Sequence, residues 1–426
     1  MEEKSKMTFT IVTLTHAPQI GISGPYEDVA KVYLQILFAF GAKCDVNESG
    51  EIKCQGERYQ TYSQKIKDNL VSLIGLSSDN VIGQLYNIFK QMEFGDPFAF
   101  FPQSLTDDEI SIVRDEMLKR FLGTNYDNFK SYYNDVWKEI HNNYDMTSYD
   151  NGHNTVHSIG ERKKEKRICR FCGRMMPETT FKNKSHSISE ALGNKNIITN
   201  DECDVCNGKF GKGIELDLIN LLDFFRAYYG IQGKGGKKSF VSSDFEISKN
   251  DTAVSLKVLD ENVVLEDKNN IRIQLKHPQK INLQNVYRAL IKYALSVLDS
   301  SCLHNFQETI KWVKSECSCN ELPWVTILVT NQKSDSFPII NVFVRKSDTK
   351  ELPYSFMTLE IDGLEIIALL PLSSKDDCAF DNDVDFKRFW NFLKPYNQIP
   401  ILQRFKPVAD EAKEFTYNLS FHQKGD

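Results

Sequence analysis

Apolar side chains recur at helical spacing from Pro25 to Phe40, and Gly41 stops the pattern. The same spacing covers Tyr62 to Ile74, Val81 to Met92, Thr106 to Phe121 and Tyr126 to His141. The fourth of these begins Thr106-Asp107-Asp108-Glu109, a capping-box order in which the Thr and Glu side chains satisfy free amides. With one opening strand at Phe9 to Thr15, the pattern predicts a mainly helical N-terminal domain over residues 1–158. Its final stretch, Thr147 to Gly160, is rich in Ser, Asn, Gly and His and reads as a linker. Beyond Ser239 the period changes. Alternating apolar positions at Phe240 to Val258 and Ile271 to Leu275 predict strands, and Asn282 to Leu298 predicts a long amphipathic helix. Thr358 to Ile361 and Leu364 to Leu370 flank Asp362-Gly363, a strong hairpin signal. Residues 231–426 therefore read as a mixed α/β C-terminal domain, and the chain as α+β.

With 426 residues, 41% hydrophobic and 12% aromatic, the chain is long and apolar enough for two or three cores. No apolar stretch approaches the roughly 20 residues that span a bilayer. The start, Met1-Glu2-Glu3-Lys4, lacks a basic-then-apolar leader. A soluble cytoplasmic protein with no membrane partner is expected.

The net charge of −6 hides an asymmetry. Glu161 to Lys238 holds 16 Lys and Arg against 10 Asp and Glu, which leaves 36 against 48 elsewhere. A basic island in an acidic chain points to a polyanionic partner. Its sharpest run is Arg162-Lys163-Lys164-Glu165-Lys166-Arg167, followed by Arg170; Gly233-Lys234-Gly235-Gly236-Lys237-Lys238 closes it. This last segment lacks the Gly-Lys-Ser/Thr of a Walker loop and reads as a solvated turn or a phosphate contact.

Cysteine use sharpens the picture. A cytosolic chain keeps most thiols reduced, yet Cys169-x-x-Cys172 and Cys203-x-x-Cys206 stand 30 residues apart, the pattern of a tetrahedral structural zinc site. Cys44 and Cys54 flank Asp45 to Glu51, a turn that makes them cross-strand neighbours. Cys302, His304, Cys317 and Cys319 are irregularly spaced and read as small buried residues, not a second metal site. Asp381-x-Asp383-x-Asp385 has Phe386 where a calcium loop requires glycine, and reads as a solvated loop.

Between the cysteine pairs runs Lys184-Ser185-His186-Ser187-Ile188-Ser189-Glu190-Ala191-Leu192-Gly193-Asn194, and the second pair opens Cys206-Asn207-Gly208-Lys209-Phe210-Gly211. This order resembles the HNH endonuclease superfamily, whose fold is ββα-metal, in its bacterial form with four zinc-binding cysteines. The likeness is specific for residues 169 to about 216, within a domain bounded at 159–230, which zinc would staple because so short a unit has little core of its own. The resemblance implies metal-dependent hydrolysis of phosphodiester bonds, usually in DNA, with RNA as the open alternative. It makes His186 the general base and Asn207 a ligand of the catalytic metal. Asn200 is chosen as the residue that fastens the loop behind the base, with Asn194 as the alternative. Relatives commonly place Asp before the base; here Ser185 stands there, so Glu190, Asp204 or Glu215 is expected to supply an oxygen. Glu215, eight residues after Asn207, could share a helix face with it.

Such hydrolysis needs a deprotonated water and neutralisation of the leaving oxygen, which a neutral imidazole and a Mg2+ or Mn2+ ion supply. Zinc held by four thiolates is closed to chemistry. Lys163, Lys164, Lys166, Arg167, Arg170, Lys184, Lys234 and Lys237 are the expected DNA contacts. The flanking domains are left for target recognition, a protein partner or homo-oligomer contacts, and the resemblance brings phage defence or restriction as the setting. The competing reading is a non-catalytic zinc module that binds nucleic acid or protein and has no need of His186.

Overall fold

The computed structural model describes residues 5–422 except 15, 47–51, 75–80, 91, 153–155, 238, 251–252, 261–263, 268–269, 331–333, 335, 349 and 408–409. Thr15, Lys238 and most of the turn between Cys44 and Cys54 lie outside the described residues. The chain mixes helix and strand and divides into two compact units, Met1–Tyr133 and Asn134–Asp426.

The first unit is built on an antiparallel sheet in the order Gln19–Gly24, Ser5–Thr13, Pro97–Phe101, Tyr59–Thr61. Strand periodicity splits its side chains between two cores. Phe9, Ile11, Phe98 and Phe100 pack on helices Tyr26–Ala39, Gln64–Leu73 and Val81–Phe89. Val12, Ala99 and Phe101 face helix Asp107–Leu122, whose start carries the expected capping box. The mainly helical domain expected here is therefore a sheet with helices on both faces. Pro97–Phe101 is buried throughout, so it shows no alternation to read. Cys44 and Cys54 pair across a small hairpin and are joined by a disulfide.

The second unit centres on six antiparallel strands in the order Ile401–Phe405, Val325–Val329, Leu364–Leu369, Ser355–Ile361, Ile339–Arg345, Tyr144–Asp150. Met357, Leu359, Ile366 and Ala368 meet helix Leu283–Val297 on one face. Phe356, Ile367 and Leu369 meet helix Asp383–Phe392 on the other. Two sequence expectations change here. Thr147 to Gly160 is not a linker: Tyr144–Asp150 is an edge strand of this sheet, and His157–Ile159 pairs with Ile197–Thr199. Leu283–Val297 is amphipathic in sequence, yet its polar residues Gln284, Arg288, Lys292 and Ser296 are buried as well, because the cysteine-rich segment packs over it and the sheet lies beneath. The boundaries at 158 and 230 thus fall inside one compact unit. Asp381 to Asp385 is not a plain loop either; Asn382 caps a helix there, accepting from Val384 N and Asp385 N.

The segment from Cys169 onward forms a small ββα unit on that buried helix. Ser185–Ser187 runs antiparallel to Ile197–Thr199, tied by Ser187 N to Ile197 O at 3.0 Å and Thr199 N to Ser185 O at 2.9 Å. Helices Asp204–Lys212 and Ile214–Tyr229 follow. Beyond them comes a hairpin, Gln232–Gly233 with Gly236–Lys237.

Candidate active site

The two Cys-x-x-Cys knuckles close on each other. One sulfur from each of Cys169, Cys172, Cys203 and Cys206 lies within 4.8 Å of the other three. Donation from Cys206 lowers the Cys169 pKa, while burial raises that of Cys172. Four thiols so crowded cannot all ionise without a central cation, and four sulfurs in this grouping, three buried and that of Cys172 half-buried, fit tetrahedral zinc. Among the described residues no other group of three or more His, Cys, Asp and Glu side chains is spaced as metal ligands, so Cys302, His304, Cys317 and Cys319 form no second site.

His186 sits between two inward serines. Ser185 and Ser187 are buried by the strand pairing, and the intervening imidazole turns the other way, 14% exposed. The next residues make a tight turn, Glu190–Leu192, capped by Ser189 Oγ accepting from Ala191 N. This turn brings Glu190 Oε1 to 3.3 Å from His186 Nε2, whereas Nδ1 has no protein partner. Burial lowers the His186 pKa from its ordinary 6.5; Glu190 opposes the shift, and Lys184, Lys292 and Lys234 reinforce it. The ring is therefore neutral at physiological pH, and its Nδ1 is buried.

Asn194 ties the loop together. It is fully buried, donates to Ile188 O at 2.8 Å and Ile197 O at 3.0 Å, and accepts from Ile197 N. The sequence choice for this task, Asn200, lies elsewhere and donates to Ser158 Oγ at 2.7 Å. Asp204 is likewise engaged in structure, accepting from Thr180 Oγ1, Lys182 N and Asn183 N.

Asn207 and Glu215 do not share a helix, because the chain breaks at Gly213 and restarts at Ile214. Both nevertheless line one cleft of about 310 Å3 with His186, Glu190, Lys184, Arg226 and Lys234. Lys234 arrives at the tip of the Gln232–Lys237 hairpin. A Cβ added at Gly233 of that hairpin would stand 3.2 Å from Ala191 Cα, so the hairpin lies close against the turn and a side chain there would crowd it. Glu190, Asn207 and Glu215 present the hard oxygens that Mg2+ or Mn2+ takes, which fits such an ion by donor chemistry.

Not every expected DNA contact is free. Lys163, Lys164, Lys166, Lys184, Lys234 and Lys237 are surface residues. Arg167 is buried and donates to Glu161 O and Arg162 O. Arg170 is also buried, paired with Asp201 at 2.8 Å and donating to the carbonyls of Leu295, Ser296 and Leu298. These two arginines hold the fold, with Arg170 neutralising the carbonyl end of the buried helix.

Two residues escaped the sequence reading: Arg226, which lines the cleft and donates to Ala191 O at 2.7 Å, and Lys292, buried behind it with Glu202 as a counter-charge outside the cleft. The one signal available was a lysine within the apolar run Ala289 to Leu295.

Comparison with known proteins decides the family of this segment: residues 169–222 match the family described as HNH endonuclease. Residues 169–222 form an HNH endonuclease domain. No curated protein and no solved structure matches the chain. Every cysteine of the cluster, together with His186, Glu190, Asn207 and Glu215, falls inside the HNH match. Arg226, Lys234 and Lys292 lie beyond it. An HNH endonuclease domain suggests nuclease activity on nucleic acid. No helix among the described residues is long and apolar enough to cross a membrane.

Proposed function

We propose that this protein is a metal-dependent HNH endonuclease that hydrolyses phosphodiester bonds in DNA, by nicking or by cutting both strands, in phage defence or restriction. The observation that carries the reading is the cleft, which gathers a half-buried neutral imidazole, three oxygen-bearing side chains and two exposed lysines over one small volume. The DNA substrate and the defensive setting rest on the motif's resemblance.

In this reading His186 takes the proton of the attacking water. The ring nitrogen that does so is Nε2, beside Glu190 Oε1 at 3.3 Å, because Nδ1 is buried. Asn207, Glu190 and Glu215 would hold a hard divalent ion. When bound, that ion supplies charge neutralisation at the departing oxygen, worth several kcal/mol. Lys184 and Lys234 face the phosphate from two sides of the cleft. The four cysteines hold zinc for structure alone, since no ligand position is left for substrate.

The test is plasmid cleavage with Mg2+ or Mn2+, comparing wild type with His186→Ala. Loss of a positioned general base lowers the rate by on the order of 10²–10⁴-fold. If both proteins are equally inert while DNA binding persists, the chain is a binding module and not a nuclease. Faster cleavage of an RNA of the same sequence would reassign the substrate.

A further inference from the structure

Lys292 is fully buried and does not line the cleft, yet it contacts two residues that do, His186 and Glu215. It comes from helix Leu283–Val297, outside the HNH match. Its ammonium stands 3.0 Å from Glu215 Oε1, 3.2 Å from Glu202 Oε2 and 3.4 Å from the His186 carbonyl oxygen. An ammonium has three protons to give, and three acceptors surround it. The stem passes between apolar rings, with the charge 5.9 Å from the Phe210 centroid and 5.6 Å from that of Tyr293.

A buried ammonium costs several kcal/mol unless its partners repay it. A methionine would fill the same volume without that cost. The lysine's geometry explains its presence in another way. Two of its three acceptors belong to residues whose other side forms the cleft: the carboxylate of Glu215 and the backbone of His186. We infer that Lys292 is a positioning residue of the cleavage site, holding Glu215 and the His186 backbone from behind so that carboxylate and imidazole face the substrate in one arrangement. This rests on the nuclease reading and adds that the HNH domain borrows part of its active-site support from the C-terminal sequence. Groups that orient metal-binding side chains are typically worth 10–100-fold in metal affinity or activity.

The experiment uses the full chain as wild type, Lys292→Met, Lys292→Arg, Glu202→Gln and the double variant Glu202→Gln/Lys292→Met. Zinc content reports that the unit is folded, electron paramagnetic resonance measures free Mn2+ affinity, and plasmid cleavage gives kcat and KM. Lys292→Met leaves two buried carboxylates facing each other. Where it fails to hold zinc, the double variant, which removes one of those charges, carries the test. The zinc-loaded variant lacking the lysine should bind Mn2+ about 10–100-fold more weakly and lose kcat by a similar factor, with little change in KM. Lys292→Arg should recover part of both, and Glu202→Gln alone should stay near wild type because the contacts to Glu215 and His186 remain. Wild-type Mn2+ affinity and kcat in the zinc-loaded double variant would overturn the inference, as would equal losses in Glu202→Gln alone. If wild type itself does not cleave, the nuclease reading fails, and Mn2+ affinity alone decides the role of Lys292.

Discussion

A cysteine cluster that fits zinc and a cleft proposed to hold a second cation stand in the second unit, and they are made by opposite means. The cysteine cluster is assembled from two tetrapeptides, one a tight turn and the other the first turn of helix Asp204–Lys212, each aiming both of its sulfurs at one point. The cleft is assembled from single side chains on a strand, a turn, two helices and a hairpin, with Lys292 reaching in from a third helix. The first is soft, crowded and closed; the second is oxygen-rich and open. A structural ion can be gripped locally because it needs only a coordination shell. A site that must also admit a phosphate and a water needs walls, and walls come from distant sequence.

The contrast breaks most directly at the cysteines. Cys203→Ser should lose zinc and unfold the HNH unit, since metal binding substitutes for core in so small a fold, with about 10–16 kcal/mol at stake in comparable zinc peptides. Cleavage should vanish with it. Zinc analysis and far-ultraviolet circular dichroism of the variant check this. Full zinc content in Cys203→Ser would mean that the four sulfurs are not a metal site. His186→Ala, by comparison, should keep its zinc while losing cleavage, so the two variants separate the scaffold from the chemistry.

The same contrast explains what the sequence displayed. Cys169, Cys172, Cys203 and Cys206 were legible because each pair carries its own geometry, and His186 and Asn207 were singled out by the motif's resemblance to HNH endonucleases. The capping box at Thr106 and the hairpin at Asp362-Gly363 were legible for the same local reason. Gly363 lies so close to the Tyr229 ring that any side chain there would collide with it. The loop-fastening role of Asn194 over Asn200 was not legible, because it depends on which carbonyls the fold brings near each amide. Arg167 and Arg170 looked like DNA contacts in a basic run, and only packing shows them turned inward. Residues 144–150 were missed as a strand because their pairing partner lies nearly 200 residues away.

Buried carboxylates sharpen the comparison. Behind the cleft, Glu202 and Glu215 share the Lys292 ammonium. In the six-stranded sheet Glu360 and Glu365 sit on paired positions, and neither is in an ion pair among the described residues. Burial raises both, and pushes Glu365 up to about 8 with Glu360 reinforcing the shift. Where a lysine is absent, a proton takes its place. Folding therefore binds a proton at Glu365 whenever the pH lies between its ordinary 4.5 and about 8, so its stabilising contribution is complete below that window and is lost as pH rises through it. Glu365→Gln, which mimics the protonated form, should stabilise the full chain by up to a few kcal/mol in alkaline buffer and much less near the ordinary glutamate pKa. Chemical unfolding at both ends of that window checks it. A variant equally stable relative to wild type at both pH values would show that Glu365 stays ionised.

The smallest effect concerns the surface. Lys163, Lys164 and Lys166 are exposed beside the buried Arg167, so the basic run has two parts: three lysines free for a phosphate backbone, and an arginine that pins the turn. Each phosphate neutralised by a cation contributes about 0.9 to the slope of log affinity against log salt on duplex DNA. Replacing the three lysines together by Ala should flatten that slope by up to about 2.7 while leaving zinc content and folding untouched. Lys184 and Lys234 belong to the cleft, and their contribution should survive in the triple variant as a reduced but finite slope. An unchanged slope would assign the run wholly to the scaffold, and the polyanion would then be held by the cleft lysines and by the exposed Lys237.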